Sequence, residues 1–132
     1  MDSNLKVMVI EDEPLLLEAI GNKLEIEGVR TVLCAGGKEA LDHLTNDSNP
    51  PDAIWLDYYL KDMDGLAFMN TIKQNANWQN IPVIVVSNSA NAQRVNTMLA
   101  LGVKKYLLKA DYRMDDIIKI ISNIKSEFAK QN

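Results

Sequence analysis

The chain has 132 residues and a mass of 14.8 kDa, and 47% of its residues are hydrophobic and 24% charged, as in a single globular domain. Its 14 basic and 18 acidic residues give a net charge of −4, which argues against direct nucleic-acid binding. The lone cysteine cannot form an internal disulfide, and no apolar run has the ~18 residues of a membrane helix. The sequence does not begin with a recognisable secretory signal. We therefore expect a cytoplasmic protein without membrane contact.

Short apolar runs alternate with longer amphipathic segments along the chain. The apolar runs, each of strand length, are residues 5–10, 31–34, 53–56, 83–86 and 106–108. The helical segments are residues 14–27, residues 38–45, a stretch beginning at 64–65, residues 92–101, and a stretch from about 114 to Phe128. Pro14 suits the first turn of a helix, and Gly28 suits the left-handed residue that ends one.

This alternation predicts an α/β fold with a parallel sheet. Parallel strands need crossover connections, and a helix between consecutive strands supplies each one. The first, third and fourth runs are apolar at successive positions, as expected for a sheet that helices cover on both faces. The loop-rich cluster at 46–51 is too short to separate two domains. We therefore predict one domain, a three-layer α/β sandwich.

Polar residues follow the strand runs, at the ends where open parallel sheets bind ligands. Glu11 and Asp12 follow the first run, Asp57 the third, Ser87 the fourth and Lys109 the fifth. If the first and third strands are neighbours, the carboxylates of Asp12 and Asp57 converge and oppose each other's ionisation. Mg²⁺ would remove this conflict because it binds carboxylates together with phosphate oxygens. These residue types around Mg²⁺ predict a phosphoryl-transfer site.

Each of these residues has a simpler explanation when it is taken alone. Acidic residues before Pro14 favour a helix start through the helix dipole, and an aspartate after a strand can be a turn residue. A serine before a helix can cap it, a lysine is most often solvated, and core packing would also explain Tyr106. The functional interpretation depends on the combination of residues.

Five stretches of the chain resemble the receiver domains of two-component response regulators, of the chemotaxis-regulator type. They are residues 7–14 (VMVIEDEP), 54–57 (IWLD), 63–65 (MDG), 82–87 (PVIVVS) and 106–109 (YLLK). Each is a weak motif, but their order and spacing are specific, and the resemblance covers about residues 5–128 of the single domain. It implies a flavodoxin-like (βα)5 fold with five parallel strands in the order 2-1-3-4-5.

The resemblance assigns the acidic residues to phosphoryl and metal chemistry. Asp57 would be the phosphoacceptor and would receive its phosphoryl group from a histidine kinase or a histidine phosphotransfer protein. Asp12 and Asp57 would bind Mg²⁺ directly, and Glu11 would bind it through water. The backbone carbonyl of Tyr59 would complete the protein's share of the metal ligands.

The resemblance assigns the other site residues to phosphoryl binding and switching. Lys109 would pair with one phosphoryl oxygen, and Ser87 would hydrogen-bond another. Tyr106 would change rotamer as Ser87 moves inward. Tyr59 and Ser89 would modulate the chemistry.

The implied function is regulatory, since such a domain is not an ordinary enzyme but assists its own phosphorylation and dephosphorylation. Phosphorylation would switch a surface made of the fourth helix, fifth strand and fifth helix, including Lys104, Lys105 and Tyr106. A downstream protein, an effector domain or a second phosphorylated copy would bind there. Because the resemblance reaches about Phe128, we expect any effector to lie outside these 132 residues; a stand-alone receiver and a receiver from a larger regulator both fit.

Four positions depart from the commonest receiver pattern. Glu11 stands where aspartate is frequent, and the bulky Tyr59 is expected to shield the acyl phosphate from water. Lys61 stands where proline is frequent, so we expect a looser loop after the phosphoacceptor. Ala110 also replaces a proline, and because a cis bond before a residue other than proline costs ~3 kcal/mol, we expect a trans peptide between Lys109 and Ala110.

Two other functions share part of this pattern. Residues 62–65 (DMDG) match the nucleophile motif of haloacid-dehalogenase-type phosphatases, which would use Asp62 and Asp64. That motif directly follows a strand, whereas four residues separate Asp57 from Asp62 here, so we expect Asp64 and Gly65 to begin a helix instead. A flavodoxin-like flavin protein would need a hydroxyl- and glycine-rich phosphate loop after the first strand, and none follows it.

Overall fold

The computed structural model describes residues 5–124, in which five strands and five helices alternate. The strands are β1 (Lys6–Ile10), β2 (Arg30–Cys34), β3 (Ala53–Asp57), β4 (Val83–Ser87) and β5 (Lys105–Leu108). The helices are α1 (Pro14–Ile26), α2 (Gly37–Asn46), α3 (Gly65–Lys73), α4 (Ala92–Ala100) and α5 (Met114–Ser122). The ten predicted elements are confirmed, although the predicted continuation of the last helix to Phe128 lies outside the described residues.

The five strands form one parallel sheet in the order β2-β1-β3-β4-β5. This confirms the predicted α/β fold and the flavodoxin-like strand order. In the register, Ile10 of β1 lies opposite Leu56 of β3, and Asp57 lies opposite Val86 of β4. The carboxyl ends of β1, β3 and β4 are therefore neighbours at one edge of the sheet.

Two apolar cores fill the spaces on either side of the sheet. One lies between the sheet and helices α1 and α5, and the other between the sheet and helices α2, α3 and α4. Successive residues of a strand point to opposite faces, so Val7 and Val9 of β1 pack into the first core while Met8 and Ile10 pack into the second. Burial on both faces explains why the strand sequences are apolar at successive positions.

Local sequence signals fix the ends of the helices. Pro14 occupies the first turn of α1, and Gly28, two residues after that helix, has a φ of 82° that favours glycine. The carboxylate of Asp64 accepts a hydrogen bond of 2.9 Å from the backbone N–H of Ala67 and so caps α3, as predicted.

Among the helices of residues 5–124, none is long and apolar enough to cross a bilayer.

Two predictions concerned the loops around the strand ends. The peptide between Lys109 and Ala110 is trans, since residues 5–124 contain no cis peptide bond. The loop after β3, in which Lys61 stands where proline is frequent, has backbone contacts across it. It is closed by a β-bridge between Tyr59 and Asp64 and by a 3.3 Å hydrogen bond that the N–H of residue 60 donates to the carbonyl of residue 63.

Candidate functional site

The polar residues predicted at the strand ends lie on neighbouring elements at the carboxyl edge of the sheet. Asp57 is the last residue of β3, and Ser87 is the last residue of β4. Glu11 and Asp12 directly follow β1, and Lys109 directly follows β5. The parallel arrangement therefore gathers residues that are far apart in the sequence.

Three of these residues form an acidic cluster. Ligand oxygens of Glu11, Asp12 and Asp57 all lie within 4.8 Å of one another. Glu11 and Asp57 are buried, with only 2% and 8% of their surfaces exposed, whereas Asp12 is partly exposed. Carboxylate oxygens at this spacing, with one member open to solvent, suit Mg²⁺, which prefers oxygen ligands and keeps part of its water shell.

Lys109 offsets part of the charge of the acidic cluster. Its ammonium nitrogen lies 3.3 Å from Oε1 of Glu11 and 4.0 Å from Oδ1 of Asp57. The other carboxylate oxygen of Glu11, Oε2, accepts a 3.1 Å hydrogen bond from the backbone N–H of Glu13. One ammonium group thus contacts two of the three clustered carboxyl groups, so the fully ionised cluster carries excess negative charge.

Burial and the charges of the cluster change the pKa of Asp57. Its pKa is raised from the ordinary value of 3.8 to about 7. Burial is the largest cause and the negative charge of Glu11 the next, while the positive charge of Lys109 lowers the pKa and offsets part of the rise. Without a cation in the cluster, Asp57 is therefore partly protonated near neutral pH. Positive charge near Asp57 would favour its ionised form.

A short chain of hydrogen bonds joins Ser87 to Tyr106 through Ser89. The hydroxyl oxygen of Ser87, which is fully buried, accepts a 3.3 Å hydrogen bond from the backbone N–H of Ser89. The hydroxyl of Tyr106 donates a 2.9 Å hydrogen bond to the carbonyl of Ser89. The Tyr106 side chain also packs against the second core. Tyr106 therefore has both the core packing expected of an ordinary tyrosine and a polar contact with Ser89.

The sequence did not single out the two residues that surround Tyr59. The ring of Tyr58 contacts that of Tyr59 edge-on at 4.9 Å, and the guanidinium of Arg94 lies 4.6 Å from the Tyr58 ring centre and 5.0 Å from the Tyr59 ring centre. No motif connects α4 with the loop after β3. A cation placed over two aromatic rings at long sequence separation becomes visible only in the fold.

The two aspartates of the phosphatase-like motif are engaged elsewhere. The carboxylate of Asp62 accepts hydrogen bonds from the backbone N–H groups of Gly37 at 3.1 Å and Lys38 at 2.9 Å. These hydrogen bonds lower the pKa of Asp62, and the bond from the N–H of Lys38 has the largest effect. Asp64 caps α3. The two carboxylates thus support the starts of two different helices, which favours the structural explanation over a shared catalytic role.

The family model described as the response regulator receiver domain matches residues 7–122. The chain is 33% identical over 105 residues to the signal transduction histidine-protein kinase BarA of Escherichia coli, covering 80% of the chain and 11% of BarA. It is 30% identical over 112 residues to the transcriptional regulatory protein KdpE of Mycobacterium tuberculosis, covering 85% of the chain and 47% of KdpE. The chain thus spans less than half the length of either relative.

Solved structures agree with this similarity. The Francisella response regulator 1452 receiver domain has a TM-score of 0.83 and 26% identity, covering 95% of this chain and 99% of that one. A CheY-like receiver domain protein from Methanospirillum hungatei has a TM-score of 0.85 at 20% identity, covering 98% of this chain and 99% of that one. This likeness shows that the two chains share a fold.

The charge of the cluster leads to a pH-dependent stability. The pKa of Asp57 is about 7 in the folded chain against an ordinary 3.8, so the folded state holds its proton more tightly. The free energy of unfolding should therefore fall as pH rises from about 4 to about 7. Without divalent cations, we expect Asp57→Asn to be more stable than the wild type by about 1–3 kcal/mol at pH 8, because the amide removes a buried charge of like sign.

Urea denaturation at pH 8 and pH 5 measures this difference, which should shrink at the lower pH. Asp42→Asn is the matched control, since Asp42 is an exposed carboxylate on α2, and its stability should follow the wild type at both pH values. A destabilised Asp57→Asn at pH 8 would contradict the excess of negative charge in the cluster.

Proposed function

Because the chain belongs to the response regulator receiver domain family, we propose that Asp57 accepts a phosphoryl group and that this modification switches a partner-binding surface. The observation that carries the proposal is the position of Asp57. It is a buried carboxylate at the end of β3, clustered with Glu11 and Asp12 and 4.0 Å from the ammonium of Lys109. Receiver domains are regulatory proteins, and the proposed role is that of a phosphoacceptor that assists its own modification.

The proposed donor is a phosphohistidine of a histidine kinase or a histidine phosphotransfer protein. A carboxylate oxygen of Asp57 forms the new bond to phosphorus, while the bond between phosphorus and the imidazole nitrogen of the donor breaks and the nitrogen keeps the electron pair. Such in-line transfer depends on alignment and charge neutralisation more than on acid–base catalysis. Lys109 would lie beside the incoming phosphoryl oxygens.

The acidic cluster is the proposed Mg²⁺ site. Asp12 and Asp57 would be direct ligands, Glu11 would act through water, and the backbone carbonyl of Tyr59 would add a further oxygen. When bound, the ion would supply positive charge that neutralises the carboxylates and the phosphoryl group. Lys109 is paired with Glu11, so its ammonium is already held on the side of the cluster next to β5.

The hydrogen-bond chain from Ser87 to Tyr106 is the proposed route to the surface. A phosphoryl group on Asp57 would offer strong acceptors, and the hydroxyl of Ser87 would turn to donate to one of them. Because Ser87 now accepts from the N–H of Ser89, and the Ser89 carbonyl holds the Tyr106 hydroxyl, that movement would release Tyr106. The affected surface would be α4, β5 and α5, including Lys104, Lys105 and Tyr106.

The downstream partner is proposed from chemistry and relatives together. BarA is described as a histidine kinase and KdpE as a transcriptional regulatory protein, so similar domains occur beside different output units. We propose that the α4–β5–α5 surface binds a downstream protein or an effector domain, or a second phosphorylated copy. Neither nucleic acid nor a membrane is a proposed ligand of this chain, whose net charge is −4.

Phosphorylation of Asp57 can be detected directly by mass. After incubation with acetyl phosphate and Mg²⁺, intact-mass spectrometry should show one phosphoryl adduct on the wild type and none on Asp57→Asn, because the amide is not a nucleophile. Asp42→Asn, with its exposed carboxylate removed, should give the wild-type adduct. Absence of an adduct on a folded wild-type chain, or an adduct on Asp57→Asn, would contradict the proposal.

The lifetime of the acyl phosphate should depend on Tyr59. This residue stands two positions after Asp57, and half of its surface is exposed, so its ring can limit the approach of water. Tyr59→Asn should lose the adduct about three- to tenfold faster, equivalent to about 1 kcal/mol of activation free energy. Tyr59→Phe, which keeps the ring, should decay like the wild type. Equal decay rates for Tyr59→Asn and the wild type would show that the ring does not shield the phosphate.

A further inference from the structure

Arg94 on α4 contacts two consecutive aromatic rings of the loop after β3. Its guanidinium lies 4.6 Å from the centre of the Tyr58 ring and 5.0 Å from that of the Tyr59 ring. The two rings meet edge-on, with centres 4.9 Å apart and planes inclined by 77°. Both rings therefore lie within cation–π distance of the same guanidinium group, whose positive charge is attracted by the quadrupoles of the two rings.

Tyr58 provides a fixed platform for this contact. It is 6% exposed and belongs to the second core. Its ring lies so close to the start of α3 that a Cβ atom on Gly65 would stand 2.8 Å from it. Tyr59 is half exposed and belongs to neither core, so its orientation depends more on the edge of Tyr58 and on Arg94.

Arg94 also contacts the loop after β4. Its Nη1 atom donates a 3.3 Å hydrogen bond to the hydroxyl of Ser89, the residue whose N–H binds the Ser87 hydroxyl and whose carbonyl binds Tyr106. One side chain from α4 thus joins the residue two positions after Asp57 to the residue two positions after Ser87. The two loops that border the phosphoacceptor are held together at this point.

We propose that Arg94 is a positioning residue that holds the Tyr59 ring beside phosphorylated Asp57 and thereby slows hydrolysis of the acyl phosphate. The inference rests on the proposed phosphorylation of Asp57 and adds a residue that sets the lifetime of the modified state. Arg94 acts through Tyr59 and does not itself contact the reacting atoms.

The step that Arg94 would slow is the attack of water on phosphorus. The water oxygen forms a bond to phosphorus while the bond from phosphorus to the Asp57 carboxylate oxygen breaks. The carboxylate keeps the electron pair, inorganic phosphate leaves, and the proton of the water passes to the phosphate or to solvent. A ring held beside Asp57 reduces the directions from which that water can approach, and a ring free to turn does not.

A double-mutant cycle tests whether Arg94 acts through Tyr59. The wild type, Arg94→Met, Tyr59→Ala and the double variant are phosphorylated with acetyl phosphate and Mg²⁺. Acetyl phosphate is then removed while Mg²⁺ is kept constant, and the decay of the adduct is followed by intact mass. Methionine keeps an unbranched apolar stem but lacks the planar cation. We expect Arg94→Met to decay about three- to tenfold faster than the wild type and to have no added effect in the Tyr59→Ala background.

Matched variants separate this role from a general weakening of α4. Gln93→Ala changes an exposed residue of the same helix and should decay like the wild type. Arg94→Met should unfold at nearly the wild-type temperature and accept the phosphoryl group to the same extent, since methionine keeps the apolar stem against Tyr58 and the lost hydrogen bond to Ser89 is exposed. In NMR spectra, the Arg94 side-chain protons should be shifted upfield by the rings in the wild type and less so in Tyr59→Ala.

The outcomes distinguish the two proposals. The role of Arg94 would be overturned if the adduct decayed at the same rate in the wild type and in Arg94→Met. It would also be overturned if Arg94→Met had the same effect in the Tyr59→Ala background as in the wild type. Either outcome would leave phosphorylation of Asp57 intact. Absence of any adduct on the wild type would overturn both. Faster decay that disappears in the Tyr59→Ala background would support Arg94 as the residue that positions Tyr59.

Discussion

The crowding of three carboxyl groups around one ammonium group is the constraint on which the rest of this site depends. Glu11, Asp12 and Asp57 present oxygens within 4.8 Å of one another, and Lys109 contacts two of the three. Burial and mutual repulsion work against full ionisation, as the raised pKa of Asp57 indicates. Such a cluster is costly for folding unless positive charge enters it, and a divalent cation that prefers oxygen ligands would offset this imbalance.

The parallel sheet makes this crowding possible without long loops. Strands β1 and β3 are neighbours, so the carboxylates at their carboxyl ends meet at one edge of the sheet, while the ends of β4 and β5 add a hydroxyl and an amine from the other side. Apolar cores on both faces fix the strands in register. The excess negative charge thus lies at the strand ends, next to the hydrogen bonds that join Ser87 through Ser89 to Tyr106.

Much of this arrangement was predictable from the sequence, and the reasons are physical. Apolar runs separated by helical spacing predict a parallel sheet, and Pro14, Gly28 and Asp64 mark helix ends through local chemistry. The acidic residues were predictable because strand ends bind ligands. The contacts of Arg94 were not, because cation–π contacts depend on distances between elements remote in sequence. The backbone contacts that close the loop after β3 were not predictable either, because no residue pattern in the loop signals them.

The central claim is that the acidic cluster needs a divalent cation, and Mg²⁺ titration by calorimetry at pH 8 tests it most directly. The account predicts one Mg²⁺ per chain, binding weakened by about tenfold or more in Asp12→Asn because a direct oxygen ligand is lost, and unchanged binding in Asp42→Asn, whose carboxylate is exposed on α2. No Mg²⁺ binding by the wild type, or equal binding by Asp12→Asn, would contradict it.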